Sequence, residues 1–209
     1  MKNFSKMSAA LTIATLVFGA GSALAAPLAA GTYKIDPSHS KVGFEISHLV
    51  ISTVEGRFGT FEGSVVAGDK FDKTQIEAKV QIGSIDTSEK KRDEHLKSPD
   101  FFDAAKFPTM TFKSTAIKGS PESFKLEGDL TIKGITKKVT FDAKYAGSVT
   151  DPWGNVRAAF SAKTKISRKD FGLTWNKLIE SGPVVGDEVT IDLRAETIKE
   201  GAAKAPAKK

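Results

Sequence analysis

From Val42 to Leu193 the chain repeats one pattern: about ten residues in which apolar and polar positions alternate, then Gly, Pro, Asp or Ser, then alternation again. Val42, Phe44 and Ile46 fall on one face and Lys41, Gly43 and Glu45 on the other, because successive side chains of a strand point to opposite sides. The same phase runs through Ile76-Ala78-Val80-Ile82, Met110-Phe112-Ala116, Phe124-Leu126-Leu130-Ile132, Val139-Phe141-Ala143-Tyr145, Val156-Ala158-Phe160-Ala162-Ile166 and Val189-Ile191-Leu193-Ala195. Each strand then has one apolar face, and there is too little helix elsewhere to cover it, so the sheet must close or fold over on itself. The expected fold is all-β: an antiparallel barrel or sandwich with short helical plugs.

The plugs are expected where the alternation stops. Asp86 to Leu96 reads as a short polar helix with Asp86 and Glu89 at capping-box spacing, and Ser98-Pro99-Asp100 reads as the cap of a second turn carrying Phe101 and Phe102. Ser167 to Asp170 repeats the cap spacing before Phe171-Gly172-Leu173.

The ends of the chain set the compartment. Lys2 and Lys6 precede the apolar run Met7 to Ala20, and Ala23-Leu24-Ala25 supplies small residues for cleavage, so residues 1–25 are expected to be a signal peptide cut after Ala25. The run is too short, and too broken by Gly19 and Gly21, for the roughly 20 apolar residues of a membrane-spanning helix. One domain is expected over 31–199, and the Ala/Pro/Lys stretch 200–209 reads as a disordered basic tail.

Charge and composition narrow the function classes. Without residues 1–25 the 31 basic side chains become 29 against 25 acidic ones, and the net charge falls from +6 to +4. Lysines alternate with acids on outer strand faces instead of forming a basic stripe with interleaved aromatics, which argues against nucleic acid. Cysteine is absent, excluding disulfides, thiolate nucleophiles and Cys-based metal sites. His39, His48 and His95 lack metal-ligand spacing, so no metal is expected. Asp93 and His95 resemble an acid–base pair, yet neither a nucleophile elbow nor an HExxH helix accompanies them, so no enzyme is expected.

A family resemblance covers almost the whole of 31–199. Asp36-Pro37-Ser38-His39-Ser40 with Val42-Gly43-Phe44, His48-Leu49 and Val54 to Gly63 is similar to the opening signature of the YceI-like polyisoprenoid-binding family. Arg92 to Asp103 with Phe107-Pro108, Leu130 to Lys137, and Ser167 to Leu173 followed by Val185 to Val189 resemble its later motifs in the same order. The resemblance implies a lipocalin-like periplasmic barrel without enzyme activity. It also implies a bound isoprenoid lipid, such as an isoprenoid quinone or polyprenyl phosphate, and no other cofactor.

A barrel of about eight strands is just wide enough to be filled by side chains or to hold one small ligand. Large inner residues (Phe44, Phe112, Phe124, Phe141, Phe160) alternate with small ones (Ala78, Ala116, Ala143, Ala158, Ala162, Ala195), which fits either a slot beside the rings or a filled core. If there is a slot, its expected lining is Phe44, Ile46, His48, Phe58, Phe112, Leu126, Leu130, Phe141, Phe160 and Trp175. Mouth candidates are His39, Arg57, Arg92, His95 and Arg168. The competing reading pairs Arg92 and Arg168 with Asp86, Asp93, Asp100 or Asp170, has His39 bonding locally, and lets His48 bind a backbone carbonyl. A filled barrel with a structural or stress-protective role is the alternative to a carrier, and the oligomeric state stays open between monomer and homodimer.

Overall fold

The alternating segments form thirteen strands and one α-helix in a computed structural model that describes residues 26–180 and 182–201. The expected signal peptide and most of the basic tail lie outside the described residues. In chain order the strands are β1 (Gly31–Ile35), β2 (Lys41–His48), β3 (Ser52–Phe58), β4 (Phe61–Ala67), β5 (Gln75–Gln81), β6 (Ile85–Asp86), β7 (Thr109–Ser120), β8 (Ser123–Ile132), β9 (Ile135–Thr150), β10 (Val156–Ser167), β11 (Leu178–Ile179), β12 (Gly182–Pro183) and β13 (Val185–Lys199). The helix, α1, is Lys90–Lys97.

Three walls of the barrel are broken strands. β1 and β2 both pair with β13, interrupted by a 3-10 turn at Pro37–His39; β3 and β4 continue one another across Gly59-Thr60, as do β5 and β6 across Ile82–Ser84. Counted this way, eight antiparallel walls run up and down in sequence order, and the β1–β13 pairing closes the ring. Closure leaves no long unpaired edge on the sheet, the standing hazard of open β structures.

A bulge on β7 changes one expectation. Ser114 pairs with Gly128 but Ala116 with Glu127, so an extra residue sits between them and the inward phase switches. Ile117, 5 % exposed, points into the core where Ala116 was expected. The caps also differ. Glu89, not Asp86, caps α1, its carboxylate accepting from the Lys91 and Arg92 amides; Asp86 lies in β6 and accepts from Arg57 and the Ser88 amide. Ser98 closes α1 at its far end, its hydroxyl donating to the His95 carbonyl, and residues 98–102 form turns instead of a second helix. Ser167 makes no cap bond to the 3-10 turn Arg168–Phe171.

The interior has two different halves. At the end carrying the β7–β8 and β9–β10 turns, Tyr33, Phe124, Leu126, Tyr145 and Ala158 pack into a floor, with Phe71 edge-on to Phe124 at 5.0 Å. The Tyr33 and Tyr145 hydroxyls donate to the Ala29 and Ala26 carbonyls, so the leading segment laces this floor shut and the phenols are not left unpaired. At the opposite end the inward apolar residues of β2, β10 and β13 are only half-buried. Glycines on β3 and β8 make room for two inner rings: a Cβ on Gly56 would lie 2.3 Å from the Phe44 ring and one on Gly128 would lie 2.4 Å from the Phe112 ring. The tips of both rings therefore occupy the space over these glycines.

Outside the wall break, Arg157 (18 % exposed) binds Asp36 at 2.9 Å, Asp151 at 2.8 Å and Glu196 at 2.5 Å, tying four strand ends and turns together. Hydrogen bonds from Ser38 and His39, then Arg157, hold the Asp36 carboxyl well below the usual carboxylate range. For Asp151 burial acts the other way, but bonds from Arg157 and Asn155 outweigh it and its pKa is lowered too. A depressed folded-state pKa gives stability that is present above the unfolded value of about 4 and disappears as pH falls towards the folded value. The Tm difference between wild type and Arg157→Gln is therefore expected to be full at pH 7 and to narrow below about pH 4. Thermal melts across that range check this; a difference independent of pH would contradict it.

Candidate functional site

Above the floor lies an apolar cavity of about 440 Å³, within the range of about 300–1,000 Å³ typical of small-molecule sites. A second cavity of about 160 Å³ extends it towards the floor, and Val42, Met110, Ile132 and Ile191 line both. Through these shared walls the two cavities adjoin as one slot inside the barrel, wider at the α1 end, while Phe124 and Tyr145 belong to the packed floor and line neither cavity.

Three pieces of chain surround the opening: the end of β2 with Ser47 and His48, α1 with Lys91, Arg92 and His95, and the segment from β10 into the start of β13 with Trp175, Val184 and Val185. Their order follows from local chemistry. Arg92 donates from Nε to the Thr87 hydroxyl at 2.8 Å and from its second amino group to the Thr87 carbonyl at 2.7 Å. Asp93, buried, accepts from the Thr87 amide and hydroxyl. Together these bonds pin the start of α1 to the strand before it. His95 Nε2 lies 2.9 Å from Asp100, and the His95 ring meets Trp175 edge-on at 4.9 Å and Phe101 at 5.0 Å.

Arg168 holds the third piece. Its side chain is 4 % exposed and donates to the carbonyls of Gly186 at 2.7 Å, Leu173 at 2.5 Å and Trp175 at 2.9 Å, with Asp187 at 3.2 Å. Burial pushes the guanidinium pKa below its ordinary value, and the Asp187 charge works against that.

The sequence-based candidates separate by position. Phe44, Ile46, His48, Phe58, Trp175, Arg92, His95 and Arg168 line the larger cavity; Phe112, Leu126, Leu130, Phe141 and Phe160 line the smaller one. His39 and Arg57 reach neither. His39 stands on the outer surface at the wall break, bonded to Asp36 and Ser38, and Arg57 faces outward from β3 against Asp86 at 2.9 Å. The expected acidic partners of Arg92 and Arg168 are also replaced: Arg92 uses Thr87, and Arg168 uses Asp187. Among residues not singled out from sequence, Val54, Phe101, Phe102, Met110, Leu173 and Val185 contribute to the wall. Phe101 and Phe102 had a signal as paired aromatics beside a plug, Met110 in the inward phase of its strand and Leu173 in the plug after Ser167.

Asp36, His39 and Glu196 bring three potential ligand atoms together outside the barrel, but the Arg157 guanidinium already binds both carboxylates as their cation. Among the described residues no nucleophile with a base and oxyanion donors faces the slot. Every charged side chain lining the larger cavity is basic, Lys91, Arg92 and Arg168 beside His48 and His95, whereas Lys41, Glu62 and Arg194 border the smaller one.

Residues 33–197 match the YceI-like domain. Protein YceI of Escherichia coli is 42% identical over 166 residues, 78% of this chain and 84% of the relative. The crystal structure of BcnA from Burkholderia cenocepacia superposes with a TM-score of 0.69 at 25% identity, covering 78% of this chain and 98% of that one. A polyisoprenoid-binding domain from Saccharophagus degradans shares the fold, with a TM-score of 0.60 at 14% identity over 80% of this chain and 98% of the domain. With its slot, its basic opening and its eight-walled ring, the chain belongs to the YceI family.

Proposed function

We propose that the protein is a periplasmic carrier that holds the hydrocarbon tail of an isoprenoid lipid, a quinone or a polyprenyl phosphate, in the slot. The observation that carries this reading is the void itself: two adjoining apolar cavities that share walls, the larger bordered by basic side chains. The barrel shared with a polyisoprenoid-binding domain and the export signature of residues 1–25 support it.

The energetics fit a tail receptor. Burying hydrocarbon contributes about 0.8 kcal/mol per methylene, whereas a head-group hydrogen bond adds about 1 kcal/mol net because it replaces one to water. Ordering the flexible tail offsets a large part of the gain. Across isoprenoids that share one head group, affinity is expected to rise with tail length until the slot is full and then to plateau. A titration series measures this. Equal affinity for short and long tails, with binding abolished by a head-group change, would replace the tail receptor with a head-group receptor.

A further inference from the structure

Two apolar tips beside the opening serve nothing inside the fold. The β2–β3 turn is Leu49-Val50-Ile51, with Val50 63 % and Ile51 88 % exposed; the β11–β12 hairpin carries Leu178 at 84 % and Ile179 at 46 %. They account for four of the eight large exposed apolar residues among those described. The tips are neighbours, since the Leu49 amide donates to the Val184 carbonyl at 2.9 Å and Val50 lies against Gly182. None of the four lines the slot, yet His48 precedes one tip and Val184 and Val185 follow the other, and all three line it.

The turn chemistry makes the tip costly to fold. Leu49 and Val50 have φ of 53° and 66°, a left-handed region that Gly or Asn occupies easily and a β-branched residue resists. A turn built only for the barrel would use those residues, so the apolar side chains answer to something outside it. Projecting tips do not make the broad, flat patch of about 800 Å² per partner that a stable protein complex buries. They do suit insertion between lipid head groups. Lys177 adjoins Leu178 and Lys91 stands on the rim, cations that complement an anionic lipid surface, against one acid, Glu180, beside Ile179.

We propose that Val50, Ile51, Leu178 and Ile179 seat the protein on an anionic lipid bilayer, placing the slot's opening against the membrane. The proposal rests on the carrier reading for its purpose and on the tips alone for its binding. The test is co-sedimentation of the mature protein with phosphatidylethanolamine/phosphatidylglycerol vesicles, comparing wild type with the combined variant Val50→Asn, Ile51→Ser, Leu178→Ser and Ile179→Ser. Vesicle binding is expected to fall about tenfold or more, while affinity for an isoprenoid presented in detergent stays unchanged. Val50→Asn alone, which suits the left-handed turn, is expected to hold or raise Tm while weakening vesicle binding. Vesicle binding equal to wild type in the combined variant would overturn the proposal. So would a wild-type dimer that the substitutions split without affecting vesicle binding, which would assign the tips to a second copy. If the protein binds vesicles through the tips but no isoprenoid of any length, docking stands and the carrier reading falls.

Discussion

Phe141→Asp is expected to leave little or no folded protein. Phe141 is 3 % exposed, meets Phe112 edge-to-face at 5.4 Å and pairs across the ladder with Leu126. Truncating a buried Phe costs about 3–5 kcal/mol, and an unpaired carboxylate in an apolar interior adds several more. A domain stable by about 5–15 kcal/mol has no such reserve. Lys144→Asp, three residues further along β9 and on the outer face, is expected to shift Tm by little. Soluble yield and thermal melts of the two variants check the inward phase, and matching melts would contradict it.

The second large effect is expected at Arg168. Arg168→Ala removes the donors to three backbone carbonyls, together with the pairing to half-exposed Asp187, an expected loss of about 3 kcal/mol or more, chiefly from the carbonyls left without donors. Because those carbonyls belong to residues 173, 175 and 186, the damage should concentrate in the segment that forms one side of the opening. Hydrogen exchange is expected to show lost protection over residues 172–186 with the floor strands β8 and β9 less affected, alongside a lower urea midpoint. Arg168→Lys keeps a charge but cannot reach carbonyls on opposite sides with one ammonium, and should restore only a small part. Wild-type protection in Arg168→Ala would refute this role.

The period-two alternation made the strands legible because each inward apolar residue reports its own environment. It failed at Ala116, since a bulge shifts the phase without altering the residue types around it. The capping assignments failed for a related reason: Asp86 and Glu89 are both acids at helix-start spacing, and only the pairing of β3 with β6 decides that Asp86 serves Arg57. Slot against filled core was undecidable from composition. Ala143 and Ala158 sit among the large rings of the floor, whereas Ala78, Ala162 and Ala195 border void, and residue type is the same in both places. His39 and Arg57 looked like rim residues only because sequence does not say that the wall breaks in the middle, on the outside. Arg92, His95 and Arg168 did converge on the opening, yet their partners come from residues whose proximity is tertiary.

The aromatic floor gives the barrel two unlike ends, one packed with rings and the other bordered by basic side chains. If the carrier reading holds, a long chain that enters tail-first would leave by the way it came, so that loading and unloading would share one doorway. A receiver of the lipid would then have to approach the same doorway as the donor, and the two could not be engaged at once. Traffic through such a molecule would be a shuttle with separate stops and not a conduit, its rate bounded by how often the doorway is vacated.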